Sequence, residues 1–515
     1  MSHNSRIAVL ATAVALSACG EGGSSSGGAA ADVPSAALSG STSTSSGSGG
    51  GASGSYSIGG SVTGLNGSGL TLQLNGGAAV SVATNGTFTF PTALPSGTAY
   101  AVSVSTQPSV SREICGVSNG TGTTSTANVT NVTVNCSAVI GFLYQLSMNG
   151  ENTANQVYSY GISADSGLLL PFGPPVATGT LPTAITVAPN KNLLYVTSSN
   201  TGSLPGSLST YAVNSDTGAL TPVGSSVAAG RGAAQTAISS SGYLFVYNWN
   251  SADVDTNTPA GPQTLIEYAL DPSSGAPSSI GTVLTFPATA QTSFVATPDG
   301  RFLYVLTGSP ELNIPISNTL TVYAIAPVTG ALTPGSTISP GDNVSTMTID
   351  PLGRFLYLTN STGTPERESG MVQPYAIDSG SGALTAIGTG TTVVSNGGGL
   401  AADPTGKYLY LISNLNFVAE NNTIQALEVN PSAGSVQTIG SIVQTSGAPS
   451  EVLCDPSGQF VYIQSGAPSA SDPNGGVVLT TFSISTSPDT AGQLISSGPS
   501  LPSTGDGRGA IAIVE

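Results

Sequence analysis

Apolar runs in this chain are short, and each is bounded by Gly, Pro, Asp or Asn. Most alternate with polar residues, as half-buried β-strands do. In the repeated part no stretch keeps a helical spacing of apolar positions for ten residues. One aromatic-rich triplet returns seven times: Phe142-Leu143-Tyr144, Leu193-Leu194-Tyr195, Tyr243-Leu244-Phe245, Phe302-Leu303-Tyr304, Phe355-Leu356-Tyr357, Tyr408-Leu409-Tyr410 and Phe460-Val461-Tyr462. Measured from the third residue of each, the copies are 51, 50, 59, 53, 53 and 52 residues apart. A strand-rich unit repeating near that period predicts a propeller or solenoid.

The fourth copy shows the unit. Phe294-Val295-Ala296 enters a Pro298-Asp299-Gly300 turn, and Arg301-Phe302-Leu303-Tyr304-Val305-Leu306 leaves it. A loop leads to Thr319-Leu320-Thr321-Val322-Tyr323-Ala324-Ile325, and Val328-Thr329-Gly330-Ala331-Leu332-Thr333 turns into a fourth segment. Asp216-Thr217-Gly218-Ala219-Leu220-Thr221-Pro222, Ser381-Gly382-Ala383-Leu384-Thr385 and Asp165-Ser166-Gly167-Leu168-Leu169 repeat that last turn. Each unit is therefore expected to be a four-stranded antiparallel blade, which must stack on neighbours to bury both faces. The first copy lacks a preceding strand of its own, whereas residues 507–515 read as a first strand with nothing after it. The expectation is an all-β, seven-bladed β-propeller closed by the C-terminal strand, preceded by a small β-sandwich domain.

The Pro-x-Gly-[Arg/Lys]-Phe-Leu-Tyr turn, the Tyr-Ala-Ile-like third strand and the Asp-x-x-Thr-Gly-Ala-Leu-Thr-Pro turn resemble the lactonase-type seven-bladed β-propeller family, which includes 6-phosphogluconolactonase-like members. Tyr195-Val196-Thr197-Ser198 and Tyr357-Leu358-Thr359-Asn360 are also similar to the surface propellers with Tyr-Val-Thr-Asn repeats. The resemblance covers roughly residues 138–515. It implies the fold more specifically than an activity.

The chain divides into residues 1–18, 19–54, 55–137 and 138–515. Ile7 to Ala15 is an apolar run too short to span a bilayer as a helix. It ends in Leu16-Ser17-Ala18-Cys19-Gly20, which resembles a bacterial lipoprotein signal peptide. The resemblance implies cleavage before Cys19, acylation (diacylglycerol, palmitate) of Cys19 as its link to the lipid bilayer, and outer-membrane sorting, since Gly20 rather than an aspartate follows. Residues 20–54 are nearly all Gly, Ser, Ala and Thr and are expected to be a flexible tether. Residues 55–137 alternate as sandwich strands, with Asn75-Gly76-Gly77 and Asn85-Gly86 as hairpin turns. This module resembles the immunoglobulin-like or prealbumin-like stalk domains of secreted bacterial proteins. In an exported protein Cys115 and Cys136 are expected to form a disulfide, with a metal site as the weaker alternative.

Charge removes one class of function. With Lys+Arg 9 against Asp+Glu 26, there is no basic footprint for nucleic acid. Aligning the repeats on the turn proline puts Ala184, Gln235, Ser293, Thr346, Gly399, Glu451 and Ala510 at the start of the first strands, with Arg231, Asp506 and Arg508 just before. Gln235, Ser293 and Thr346 are expected to line the channel, and Glu451, Arg231 and Arg508 to be its charged groups. Glu451 could serve as a general base if burial raised its pKa, and the arginines could hold a carboxylate or oxyanion. The alternative for Glu451 is a structural ion pair with an arginine. Family lactonases are pictured with histidine in the channel, yet the one histidine here is His3. Asp253, Asp255 and Asn257 resemble half of a calcium loop without its glycine and closing glutamate, so no metal or cofactor is expected. Trp249 reads as a core residue or as an anchor for a partner. The reading is an envelope lipoprotein whose propeller is a binding or interaction scaffold for a protein, glycan or small lactone. The alternatives are a lactonase acting on a sugar-acid lactone, and a purely structural envelope protein.

Overall fold

A computed structural model describes residues 54–109, 112–147, 155–200, 204–250, 261–288, 291–308, 318–361, 369–394, 398–414, 422–466, 477–497, 501–502 and 510–515. Cys19, Arg508 and the Asp253-Asp255-Asn257 stretch lie outside these. Among the described residues every regular element is a strand.

Two sheets form the N-terminal module. One orders Gly86–Thr89, Ile58–Thr63, the first half of Val129–Ser147, and Glu113–Ser118. The other orders Ala79–Val82, Leu70–Leu74, Ala99–Thr106 and Thr121–Thr123. Leu70, Leu72 and Leu74 alternate inward and meet Ile58, Val62, Phe88, Val132 and Val134 in one core. Cys115 and Cys136 sit directly opposite each other on paired strands and are joined as a disulfide across a separation of 21 residues.

Val129–Ser147 is a single strand of 19 residues that serves two sheets. Its first half pairs inside the sandwich; from Val139 onward it pairs with Gln156–Ser163 as the second strand of a propeller blade. Position 137/138 therefore lies inside a continuous strand. The innermost strand of this first blade is Ile511–Val514, antiparallel to Phe142–Gln145. The expected closure by the C-terminal strand is thus present, with blade 1 built from both ends of the propeller.

Blades 2 to 7 begin with innermost strands Pro182–Val187, Ala233–Ser239, Gln291–Ala296, Val344–Ile349, Leu400–Ala402 and Ala448–Cys454. Each pairs with the strand carrying its triplet, and the seven innermost strands touch one another in cyclic order, so they form the channel wall.

The triplet and the Gly turn fit together between blades. In five blades the third residue is a tyrosine whose hydroxyl donates to the turn-glycine carbonyl of the next blade: Tyr144 to Gly218, Tyr195 to Gly275, Tyr304 to Gly382, Tyr410 to Gly492 and Tyr462 to Gly167, at 2.7–3.0 Å. Burial holds these hydroxyls above the usual tyrosine pKa, so they remain donors. The first residue of the triplet packs on the same glycine. A Cβ on Gly218 would stand 2.3 Å from Phe142, and one on Gly382 2.7 Å from Phe302. These glycines also have positive φ, +61° and +71°, so two separate constraints exclude a side chain there.

Arg301 and Arg354, each directly before its triplet, lie 5.2 and 5.1 Å from the ring centroids of Phe302 and Phe355. They donate to carbonyls of the next blade's turn, Ser379 and Pro431. In blade 1 the residue before Phe142 is Gly141, and the guanidinium comes instead from Arg112 of the sandwich, 5.7 Å from the Phe142 ring. Ile114 beside it is buried in the blade 1 core. The small module thus docks by supplying a contact that other blades make for themselves.

Candidate functional site

The channel wall is where the fold brings the aligned positions together. Ala184, Gln235, Ser293, Thr346 and Glu451 occupy one register level of their innermost strands, opposite Thr197, Tyr247, Leu306, Thr359 and Gln464. Ala510 joins the level through its carbonyl, which accepts from Leu146 N–H. In four of these strands a register shift precedes the level, turning one residue out of the ladder. The displaced side chains stay satisfied: Thr183 Oγ1 donates to the Ala233 carbonyl at 2.6 Å, and Ser345 Oγ bonds Thr359 Oγ1 at 2.9 Å.

Glu451 is the one acid at this level. Its Oε2 accepts the Ile511 backbone N–H at 2.9 Å. The carboxylate therefore bridges the innermost strands of blades 7 and 1, at the seam closed non-covalently by the chain end. Burial pushes its pKa up to about 7, against the opposing pull of the Ile511 hydrogen bond. The residue as a whole is nevertheless only partly buried. Among the described residues no lysine or arginine pairs with it. Arg231 donates to the Asn250 carbonyl at 3.1 Å, at the blade 3 loop.

Next to Glu451 lies a polar cluster that the sequence reading missed. Gln464, opposite Glu451 on the triplet strand, accepts from Gln145 Nε2 at 3.0 Å across the seam, and both amides are buried. Gln145 is in turn opposite Ile511. The amide pair thus ties together the two triplet strands that flank the innermost strands presenting the carboxylate and its N–H donor. Its only sequence signal was a glutamine straight after Tyr144 and another two residues after Tyr462, where an apolar residue would suit a buried strand.

Other candidates have structural uses. Trp249 packs against the core shared by blades 3 to 5, with its ring 6.4 Å from that of Tyr247. Cys454 is a free thiol whose pKa burial raises, which makes it a poor nucleophile. Among the described residues no group of His, Cys, Asp or Glu has the arrangement of a metal site.

A family model described as lactonase, 7-bladed beta-propeller matches residues 144–267 and 361–467. No curated protein matches the chain. Among solved structures it is similar to a periplasmic gluconolactonase of Pseudomonas aeruginosa, at 20% identity and TM-score 0.52, covering 72% of this chain and 99% of that one. It is also similar to a candidate 6-phosphogluconolactonase of Bacteroides fragilis, at 15% identity and TM-score 0.54, over 73% and 98%. A protein of Lactobacillus plantarum aligns at 17% identity and TM-score 0.54, over 73% and 99%. At such identities the likeness concerns the fold.

Proposed function

We propose that this lactonase-type seven-bladed β-propeller hydrolyses a lactone in its central channel, with Glu451 as the general base. The observation that carries the reading is the Glu451 carboxyl itself: set in the channel wall, fixed by the Ile511 N–H and held near pH 7. A base poised near the working pH is what water attack on an ester carbonyl requires. In this reading Glu451 takes a proton from water as the water oxygen bonds to the lactone carbonyl carbon. The ring C–O bond then breaks, and the proton passes to the departing alkoxide. The product is an open hydroxy acid. Arg508, three residues before Ile511 in sequence, is assigned to the substrate's charged or carbonyl oxygen. The similarity to proteins described as gluconolactonases supports a sugar-acid lactone as the substrate class.

The test is hydrolysis of a panel of sugar-acid and aromatic lactones. Activity should rise with pH through about 7, because the base works only when ionised, and Glu451→Gln should remove it. Turnover that is absent across the panel, or unchanged in Glu451→Gln, would reject the assignment.

A second reading is the lipid-anchored binding scaffold, held to the bilayer through Cys19 at the outer membrane. It is favoured by the lone His3 and by the mostly small residues at the channel level. Metabolic labelling with palmitate, lost in Cys19→Ser, tests the anchor independently of catalysis.

A further inference from the structure

The seam between blades 3 and 4 departs from the pattern of the ring. Its triplet ends in Phe245, which has no hydroxyl to offer the turn glycine of blade 4, Gly330. Directly opposite Phe245 on the third strand stands Glu267. At the equivalent place other blades carry Ser159, Thr210, Val322, Pro374, Ala426 and Thr481. The blade that has lost its hydroxyl is thus the one that has gained a carboxyl.

Glu267 is fully buried, at 0% exposure, and both of its carboxyl oxygens lack a hydrogen-bond partner. Oε1 lies 1.8 Å from where a Cβ on Gly330 would be, and the Tyr243 ring comes within 2.6 Å of the same point. The carboxyl therefore reaches the same glycine that a tyrosine hydroxyl reaches in five other seams. An isolated carboxylate in such a place is costly, whereas a neutral acid is a donor like the hydroxyl it replaces.

We propose that Glu267 acts as a neutral carboxylic acid that replaces the missing tyrosine hydroxyl as donor to the Gly330 backbone, making the seam between blades 3 and 4 a pH-sensitive joint. The surroundings supply nothing to stabilise the anion. Strand Gln263–Leu270 adds Tyr268, strand Tyr243–Asn248 adds Tyr243 and Tyr247, and strands Phe302–Gly308 and Asn318–Ile325 of blade 4 add Tyr304 and Tyr323, with Asp299 and Arg301 in the turn that precedes them. Strand Pro277–Phe286 and the turn 326–331 add no titratable residue. Burial pushes the Glu267 pKa up to about 7. The sign follows: a group that binds its proton more tightly when folded stabilises fully below the ordinary carboxylate range, and loses that contribution as pH rises through about 7.

The test is hydrogen exchange of the segment 326–333 in the whole protein from about pH 5 to about pH 9, corrected for intrinsic exchange rates. In the unaltered protein, protection of this segment should fall by up to about tenfold per pH unit between the ordinary carboxylate range and about pH 7, and level off above it. Glu267→Gln keeps a donor without the charge, and Phe245→Tyr with Glu267→Thr restores the pairing seen in blades 2 and 7. Both should flatten the profile. Reading a segment of blade 4 separates this joint from Glu451, which titrates in the same range at another seam. A flat profile in the unaltered protein, or a slope that survives in either variant, would overturn the proposal.

Discussion

Glu451 and Glu267 are both glutamates set at blade seams, and burial raises the pKa of each to about 7. Their surroundings differ in two ways. Glu451 is held by a backbone N–H and is only partly buried as a residue. Glu267 is sealed from solvent, with no group donating a hydrogen bond to either oxygen. A proton on Glu451 can be exchanged with a substrate or water, so its raised pKa is usable for chemistry. A proton on Glu267 has no exit while the seam is shut, so its raised pKa acts on stability alone. A shifted carboxyl marks a reactive site only when geometry gives it access.

The largest effect should come from breaking the closing seam. Removing residues 507–515 takes away the strand that pairs with Phe142–Gln145 and with it the N–H that fixes Glu451. The buried faces of Phe142 and Leu143 lose their cover. The expected cost is comparable to the whole stability of an ordinary domain, about 5–15 kcal/mol, and calorimetry should show no cooperative melting of the ring. A truncated protein that melts as before would show that the ring does not depend on this closure.

Glu451→Gln separates chemistry from stability. Lactone turnover should fall by roughly 10²–10⁴-fold, the usual contribution of a general base. Melting near neutral pH should be unchanged or raised, because a buried charge is removed. Lost turnover together with lost stability would instead make Glu451 a structural residue of the seam. Next in size is Gly382→Ala, in a seam with the ordinary latch. The new Cβ would meet Phe302 at 2.7 Å on a backbone with φ +71°, so a loss of roughly 1–3 kcal/mol is expected in denaturant unfolding. An unchanged midpoint would mean that blades can move apart freely, which would weaken the argument for a pH-sensitive joint at Glu267.

How much of this was legible follows from sequence distance. The blades, their order and the closing strand could be read because each turn and triplet is local and repeats. The latch could not: Tyr144 and Gly218 are 74 residues apart, and a tyrosine on a strand reads as core whether or not its hydroxyl has a partner. The same holds for Glu451 with Ile511, 60 residues apart, and for Gln145 with Gln464, 319 apart. Glu451 could be placed at the channel by alignment, yet its partner is a backbone N–H, which no side-chain pattern announces. Arg231 was grouped with it because both precede or begin first strands; it lies on blade 3, where it donates to the Asn250 carbonyl. The one legible clue to Glu267 was Phe245, the only triplet in seven that ends without a hydroxyl.

The smallest predicted effect calibrates all the seams. Tyr304 donates its hydroxyl to Gly382 at 2.7 Å, whereas the buried hydroxyl of Tyr357, at the same place in the next blade, has no partner. Tyr304→Phe should cost about 1 kcal/mol, since it leaves the Gly382 carbonyl without its donor. Tyr357→Phe removes a buried, unsatisfied group and should be neutral or slightly stabilising. Urea midpoints of the two variants, measured side by side, test this directly. Equal losses would show that ring packing rather than the hydroxyl holds the blades together, and would remove the reason for a carboxyl to replace a hydroxyl opposite Phe245. Unequal losses in the stated order would give the worth of one latch, and so the amount that Glu267 has to supply at the seam where the tyrosine is missing.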